Sequence, residues 1–226
     1  TPETFTTSDG VHLTGQAYLP TQSTPPGLVL LHGAAADRHR WDSFAQRAQQ
    51  WGYLVVTVDL RGHGESASEQ GPYRDHRHFG DVEWQSAALD IDAALGRLQS
   101  LGAAPDDLFL VGEGFGANLA LDYTQSHRDV QGVVLLSAGK SYYGLEADTL
   151  MAAMRTRPTL LVWSERDDYA AATGASLQRV APGHVEVRVY PGTAFGADIF
   201  ETAPESMGQV LVWLDQMREI PAESDR

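Results

Sequence analysis

Five residues, Gly112-Glu113-Gly114-Phe115-Gly116, stand between an apolar run (Leu108-Phe109-Leu110-Val111) and an Ala/Leu-rich stretch with helical spacing. Strand, very tight turn and helix, in that order, are the frame in which G-x-S-x-G holds a serine on a strained elbow, aimed at a carbonyl carbon. Such a serine needs a base to take its proton and a carboxylate to orient that base. Here the frame is kept, but Gly114 occupies the serine's place. Glycine has no side chain and attacks nothing.

Other reactive side chains are spread along the chain. Asp167 and Asp168 follow a strand-like run, and His32 and His63 lie on loops at strand ends. Ser137, Ser141 and Ser164 are hydroxyls near strand ends, none of them in an elbow pattern. His76 and His78 have the i, i+2 spacing that can converge on an ion, but the intervening Arg77 opposes a cation, and they are read as loop residues. The chain has no cysteine, which excludes thiolate catalysis, disulfides and Cys-containing zinc sites. No metal or other cofactor is implied.

Composition bounds the partners. The formal net charge of −14 disfavours nucleic acid and anionic lipid surfaces, which reward Lys/Arg patches. No run of about 18 apolar residues is present, so no membrane span is expected. At 226 residues and 42% hydrophobic, the chain is expected to form one domain over 1–226, with a frayed tail at 221–226. It opens at Thr1 instead of Met, which leaves a processed, exported form open and the compartment unassigned.

The elements that must position these residues alternate in type. Ser8-Asp9-Gly10 between β-favouring runs predicts an opening hairpin. Gly27 to Leu31, Leu54 to Val58, Val133 to Leu136 and Leu160 to Trp163 are short continuous apolar runs, as in strands buried on both faces. Between them lie helical patterns at 41–50, 79–101, 145–155 and 170–180, with a last helix carrying Met207, Val210, Leu211, Leu214 and Met217 on one face. Residues 67–78 read as polar loop. Trp41, Trp84 and Trp213 fall on helical patterns and are expected in the core. Alternation of this kind demands an α/β fold with a mainly parallel sheet and helices on both faces. Ligands then bind at the carboxyl ends of the strands.

Taken together, Leu31-His32-Gly33, Asp59-Leu60-Arg61-Gly62-His63-Gly64-Glu65-Ser66, the turn 112–116, Ser164-Glu165-Arg166-Asp167 and Pro191-Gly192-Thr193-Ala194-Phe195-Gly196 resemble the α/β-hydrolase superfamily. Their order and spacing are most similar to its small lidless esterase and dienelactone-hydrolase-like members. The resemblance implies an α/β-hydrolase fold, with a mostly parallel sheet of about eight strands flanked by helices and no cap domain. It also implies triad-equivalent positions at Gly114, Asp167 and Phe195, with Asp168 blurring the acid assignment, and an oxyanion hole from the backbone N–H groups of Ala34 and Phe115. By the same resemblance, His32 shapes the oxyanion turn and the loop of His63 is structural. The nucleophile and base positions are both replaced, so no triad is intact. The expectation is a catalytically inactive hydrolase homologue whose remnant cleft, near Ala34, Gly114, Phe115 and Phe195, either binds a small ligand or is vestigial. Two alternatives stand beside it: an active ester or thioester hydrolase with displaced groups, and a protein-interaction module.

Overall fold

The computed structural model of the protein describes residues 1–68 and 75–219. The tail expected at 221–226, and part of the loop expected at 67–78, lie outside them. Ten strands are described: β1 (Pro2–Thr6), β2 (His12–Tyr18), β3 (Gly27–Leu31), β4 (Leu54–Val58), β5 (Leu108–Glu113), β6 (Val130–Leu136), β7 (Ser141–Tyr142), β8 (Leu145–Glu146), β9 (Thr159–Ser164) and β10 (Val185–Tyr190). Eight of them form one sheet in the order β1-β2-β4-β3-β5-β6-β9-β10, and β7 pairs with β8 in a separate hairpin. From β4 to β10 all neighbours are parallel; β1–β2 and β2–β4 are antiparallel.

The apolar strands account for the layers. Side chains alternate faces along a strand, so Val29 and Leu31 of β3 enter one core while Leu28 and Leu30 enter the other. All four are fully buried. The first core is closed by α3 (Ala88–Ser100), α4 (Phe115–Ser126), α5 (Ala147–Ala152) and α6 (Asp168–Val180). The second is closed by α1 (Asp42–Gln50), α7 (Asp198–Thr202) and α8 (Glu205–Arg218). This is an α/β-hydrolase fold, and the described residues hold no separate cap domain.

Two local features differ from the pattern in the sequence. The single helix expected over 79–101 is divided into α2 (Asp81–Gln85) and α3, with a turn at Ser86 and Ala87. Gly80 begins α2, its N–H received by Glu83 Oε2 at 3.0 Å, which restarts the helix after a 3-10 turn at His76–His78. The interval expected to hold one short helix also contains the β7–β8 hairpin. Its turn residues Tyr143 and Gly144 both have positive φ, 50° and 83°, as a two-residue hairpin turn of the primed type requires. Asn118 of α4 ties the hairpin down, its side-chain amide donating to Gly139 O at 2.9 Å and Leu145 O at 3.0 Å.

Candidate functional site

Gly114 lies between β5 and α4 with φ 52° and ψ −116°. That backbone is strained for a residue with a Cβ and free of strain for glycine. The Phe195 ring stands directly above it. A Cβ built on Gly114 would sit 3.0 Å from Phe195 Cζ, 3.3 Å from Cε1 and 3.7 Å from the Tyr142 hydroxyl. Phe195 keeps 41% of its surface exposed, so its outer edge is wet while its tip closes the vertex.

Three strand ends hold the loop that carries Phe195. Ser164, at the end of β9, donates its hydroxyl to Ala194 O at 2.7 Å. Ser137, following β6, receives Gly196 N–H at 3.0 Å. Glu113, the last residue of β5, receives Ala197 N–H at 2.7 Å. Ser137 differs from the expectation in one respect: its φ is 46°, a left-handed conformation at a strand end. Its Oγ is nevertheless occupied and its surface 1% exposed, so it reaches no cleft.

Glu113 does more than hold one loop. Oε1 receives Gly33 N–H at 3.2 Å and Arg40 Nε at 3.3 Å, and Oε2 receives Arg40 Nη2 at 3.4 Å. Arg40 also donates to Asp198 Oδ1 at 2.7 Å. The carboxylate is 2% exposed, and charge-assisted bonds of this kind are among the stronger ones. Gly196 is part of the same arrangement, since a Cβ there would come 2.0 Å from Glu113 Oε2. Glu113 therefore faces away from the Gly114 vertex and joins the turns after β3 and β10.

The two candidate acids separate clearly. Asp167 is the N-cap of α6, with Oδ1 accepting Ala170 N–H at 3.0 Å. Its Oδ2 is buried and has no hydrogen-bond partner. Asp168 is exposed on the first turn of the helix. The Asp167 loop runs alongside the Phe195 loop: Glu165 N–H donates to Tyr190 O at 2.8 Å and Arg166 N–H to Gly192 O at 3.1 Å. Burial, then the charges of Tyr169 and Asp167, hold the Tyr142 hydroxyl above its ordinary pKa, so it stays a neutral donor.

The turn after β3 and the loop beside it are built around two buried histidines. His32 donates from Nδ1 to Gly33 O at 2.8 Å and accepts Leu60 N–H on Nε2 at 3.0 Å, which fixes the neutral tautomer. His63 lies against Arg61 O at 2.9 Å and Ala34 O at 3.0 Å through its two ring nitrogens. Burial pushes both down to about 4, and for His63 the neighbouring His32 adds to the effect. The rest of the Asp59–Ser66 loop is internally bonded. Asp59 receives Arg38 N–H at 2.7 Å and Glu65 N–H at 2.9 Å, and Arg61 joins Asp90 and Asp9.

Phe115, 1% exposed, opens α4 and packs its ring on Trp84 and Tyr143 at 4.8 and 5.7 Å between centroids. Among the described residues, the N–H groups of Ala34 and Phe115 donate to no loop carbonyl. Next to Ala34 opens a cavity of about 360 Å³ that extends to Trp84 and Tyr143. Trp41 and Trp213 are fully buried; Trp84 is 3% exposed but backs this cavity, a role its helical position did not reveal. Among the described residues no group of three His, Asp or Glu side chains is arranged to hold a metal ion, and no helix is long and apolar enough to cross a membrane.

The family model described as serine aminopeptidase, S33 matches residues 24–144, more than half of the chain. The chain belongs to the serine aminopeptidase S33 family of α/β hydrolases. The match takes in the turns after β3 and β5, and ends before Asp167 and Phe195. Epoxide hydrolase B of Mycobacterium tuberculosis is 31% identical over 142 residues, 60% of this chain and 36% of that protein. The chain thus matches little more than a third of that relative's length. Among solved structures, DcsB in complex with its substrate analogue superposes with a TM-score of 0.81 at 13% identity, covering 96% of this chain and 98% of that one. A putative dienelactone hydrolase from Klebsiella pneumoniae subsp. pneumoniae MGH 78578 gives 0.73 at 17% identity, covering 96% and 99%. At these identities the structural likeness concerns the fold. The turn between β5 and α4 lies within the matched residues, and its vertex is Gly114.

Proposed function

We propose that the chain is a catalytically inactive α/β hydrolase whose remnant cleft binds a small ligand. The observation that carries this reading is the Phe195 ring seated over Gly114. One position lacks a group to attack, the other lacks a group to take a proton, and the Phe195 ring occupies the space that a side chain at 114 would need. The unpartnered Asp167 Oδ2 supports the same reading: a buried carboxylate oxygen without a donor is costly, and an imidazole N–H is the donor that the triad would bring beside it. The Ala34 and Phe115 amides do not depend on either lost side chain, so the capacity to bind an electron-rich oxygen outlasts the chemistry.

The test uses the protein as it stands, with short p-nitrophenyl esters and a fluorophosphonate probe. Hydrolysis at the buffer rate and no labelling are the expected results. Turnover well above buffer, or stoichiometric labelling of any serine, overturns the reading. One observation favours a second reading, ester or thioester hydrolysis with displaced groups: the Tyr142 hydroxyl, 3.7 Å from the Cβ position at the vertex. Turnover that disappears in Tyr142→Phe would establish it.

A further inference from the structure

The sheet ends at β10, whose outer side pairs with no strand among the described residues. In a parallel ladder, alternate residues of a strand turn both backbone groups toward the neighbour. His184 O accepts Thr159 N–H at 2.9 Å and Tyr190 O accepts Glu165 N–H at 2.8 Å, so the even-numbered residues of β10 face β9. The N–H and C=O groups of Val185, Val187 and Val189 therefore point off the sheet. Arg188 supplies a stand-in for the absent neighbour. Its Nη1 folds back over the edge and donates to Val187 O at 3.2 Å, where the N–H of another strand would otherwise sit. β-Branched side chains at alternate positions favour the extended backbone, and Val189 keeps 46% of its surface exposed. A regular open edge of this kind is a template for one more strand.

The side chains specify which strand. Val185-Glu186-Val187-Arg188-Val189, read backwards, is the same sequence with its charges exchanged. When a second copy is laid antiparallel with Val187 opposite Val187, Glu186 of each copy falls opposite Arg188 of the other. The four charges share the face of the sheet that carries Tyr190 and α8. Within one chain they already pair, Arg188 Nη2 donating to Glu186 Oε2 at 2.7 Å, and His184 Nε2 stands 3.4 Å from Glu186 Oε1. The cross-strand contacts close the two pairs into a ring of alternating sign. In this register the outward residues form the hydrogen-bonded pairs, 187 with 187 and 185 with 189. The Glu–Arg positions become the non-hydrogen-bonded pairs, where side chains approach most closely. Sliding the copies by two residues sets Glu186 against Glu186 or Arg188 against Arg188, and like charges directly opposite are destabilising. The same charges that favour the pairing thus fix its register.

We infer that β10 is a self-association edge: two copies pair antiparallel through Val185 to Val189 about a two-fold axis at Val187, joining their sheets into one. The axis is perpendicular to the sheet, so the carboxyl ends of the strands in the two copies point in opposite directions and neither Gly114 vertex is covered. The association holds whether or not the cleft is reactive.

Sedimentation velocity over a concentration series is the first measurement. The protein should approach twice the 24.6 kDa chain mass as concentration rises. Val187→Pro removes an outward N–H without touching the β9 ladder, and should leave a monomer. Glu186→Arg and Arg188→Glu each set like charges opposite one another at two symmetry-related places, and each should weaken association about tenfold or more. An equimolar mixture of those two variants should form the heterodimer, and the two changes in one chain should restore the homodimer. Register is read with cysteine, since the chain has none of its own. Val187→Cys should be captured as a disulfide-linked dimer on oxidation. Val189→Cys, although the more exposed position, should not, because its two copies lie about 13 Å apart along the strands. Circular dichroism melting identifies any variant that fails to fold, and the charge-exchange set carries the test if Val187→Pro does. A single-chain mass at every concentration overturns the assignment. So does a dimer that survives Val187→Pro, single charge variants that associate as the wild type does, or cross-linking of Val189→Cys as efficient as that of Val187→Cys.

Discussion

Phe195 Cζ lies 3.0 Å from the point where Gly114 would carry a Cβ. Real Cβ atoms rarely have neighbours that close, so the ring and a serine at the vertex compete for the same space. The two residues are therefore sterically matched: the aromatic ring fits because the vertex is bare, and the vertex backbone is relaxed because it is glycine.

Gly114→Ser alone should destabilise the fold by about 1–3 kcal/mol, through the φ of 52° and the pressure of the ring. Adding Phe195→Ala should return part of that loss. Chemical denaturation of the four corners of the cycle measures it, and a coupling smaller than about 0.5 kcal/mol would show that the ring and the vertex are independent.

Gly114→Ser with Phe195→His should hydrolyse p-nitrophenyl acetate, about 10²–10⁴-fold faster than Gly114→Ser, because the second change supplies a base. Asp167→Asn in that background should remove most of the gain, whereas Asp168→Asn should not. By NMR, the imidazole introduced by Phe195→His should titrate above the ordinary histidine value when it pairs with the Asp167 carboxylate, whose Oδ2 has no partner. An ordinary value would mean that Asp167 is turned away.

Glu113→Ala should cost about 2–4 kcal/mol in a denaturant melt, since it strands the Gly33 and Ala197 amides and leaves Arg40 with Asp198 alone. Glu113→Gln keeps one acceptor oxygen and should cost less. Equal stabilities for the three proteins would dismiss the clamp.

Stability should fall on acidification between about pH 6.5 and pH 4. Burial holds His32 and His63 near 4 in the folded state, whereas an unfolded histidine titrates near 6.5. Through that window these two histidines bind more protons in the unfolded chain, so their contribution rises with pH, is complete above 6.5 and is lost as pH drops through the folded value; buried Asp90, pushed up to about 6, opposes it in part. Each site accounts for about 3 kcal/mol at most. His63 feels the charge of His32, whose ring is 4.9 Å away, in addition to its burial. Unfolding free energies for the wild type and His32→Gln at pH 7.5 and 4.5 test this, with a flatter profile expected for the variant.

Much of the sheet was legible, because strands buried on both faces leave continuous apolar runs, as at Leu28 to Leu31. Gly114 and Phe195 were legible as positions because flanking motifs fix their order. Their contact was not, because 81 residues separate them and only the loop after β10 brings them together. Asp167 and Asp168 are equivalent in sequence; the cap on Ala170 distinguishes them. The aromatic wall of the Ala34 cavity was hidden for another reason. Tyr143 sits in a hairpin of two-residue strands, too short for any period to register, and meets Trp84 from across the chain. The division of the expected 79–101 helix escaped because the apolar spacing continues through the turn at Ser86 and Ala87.

The loop carrying Phe195 is fastened at Ala194, Gly196 and Ala197 to three different strand ends. Such a segment is no door. The Tyr143 hairpin is tied down in the same way by the Asn118 amide at Gly139 and Leu145, so moving either flank of the Gly114 vertex would break hydrogen bonds to the sheet ends or to α4.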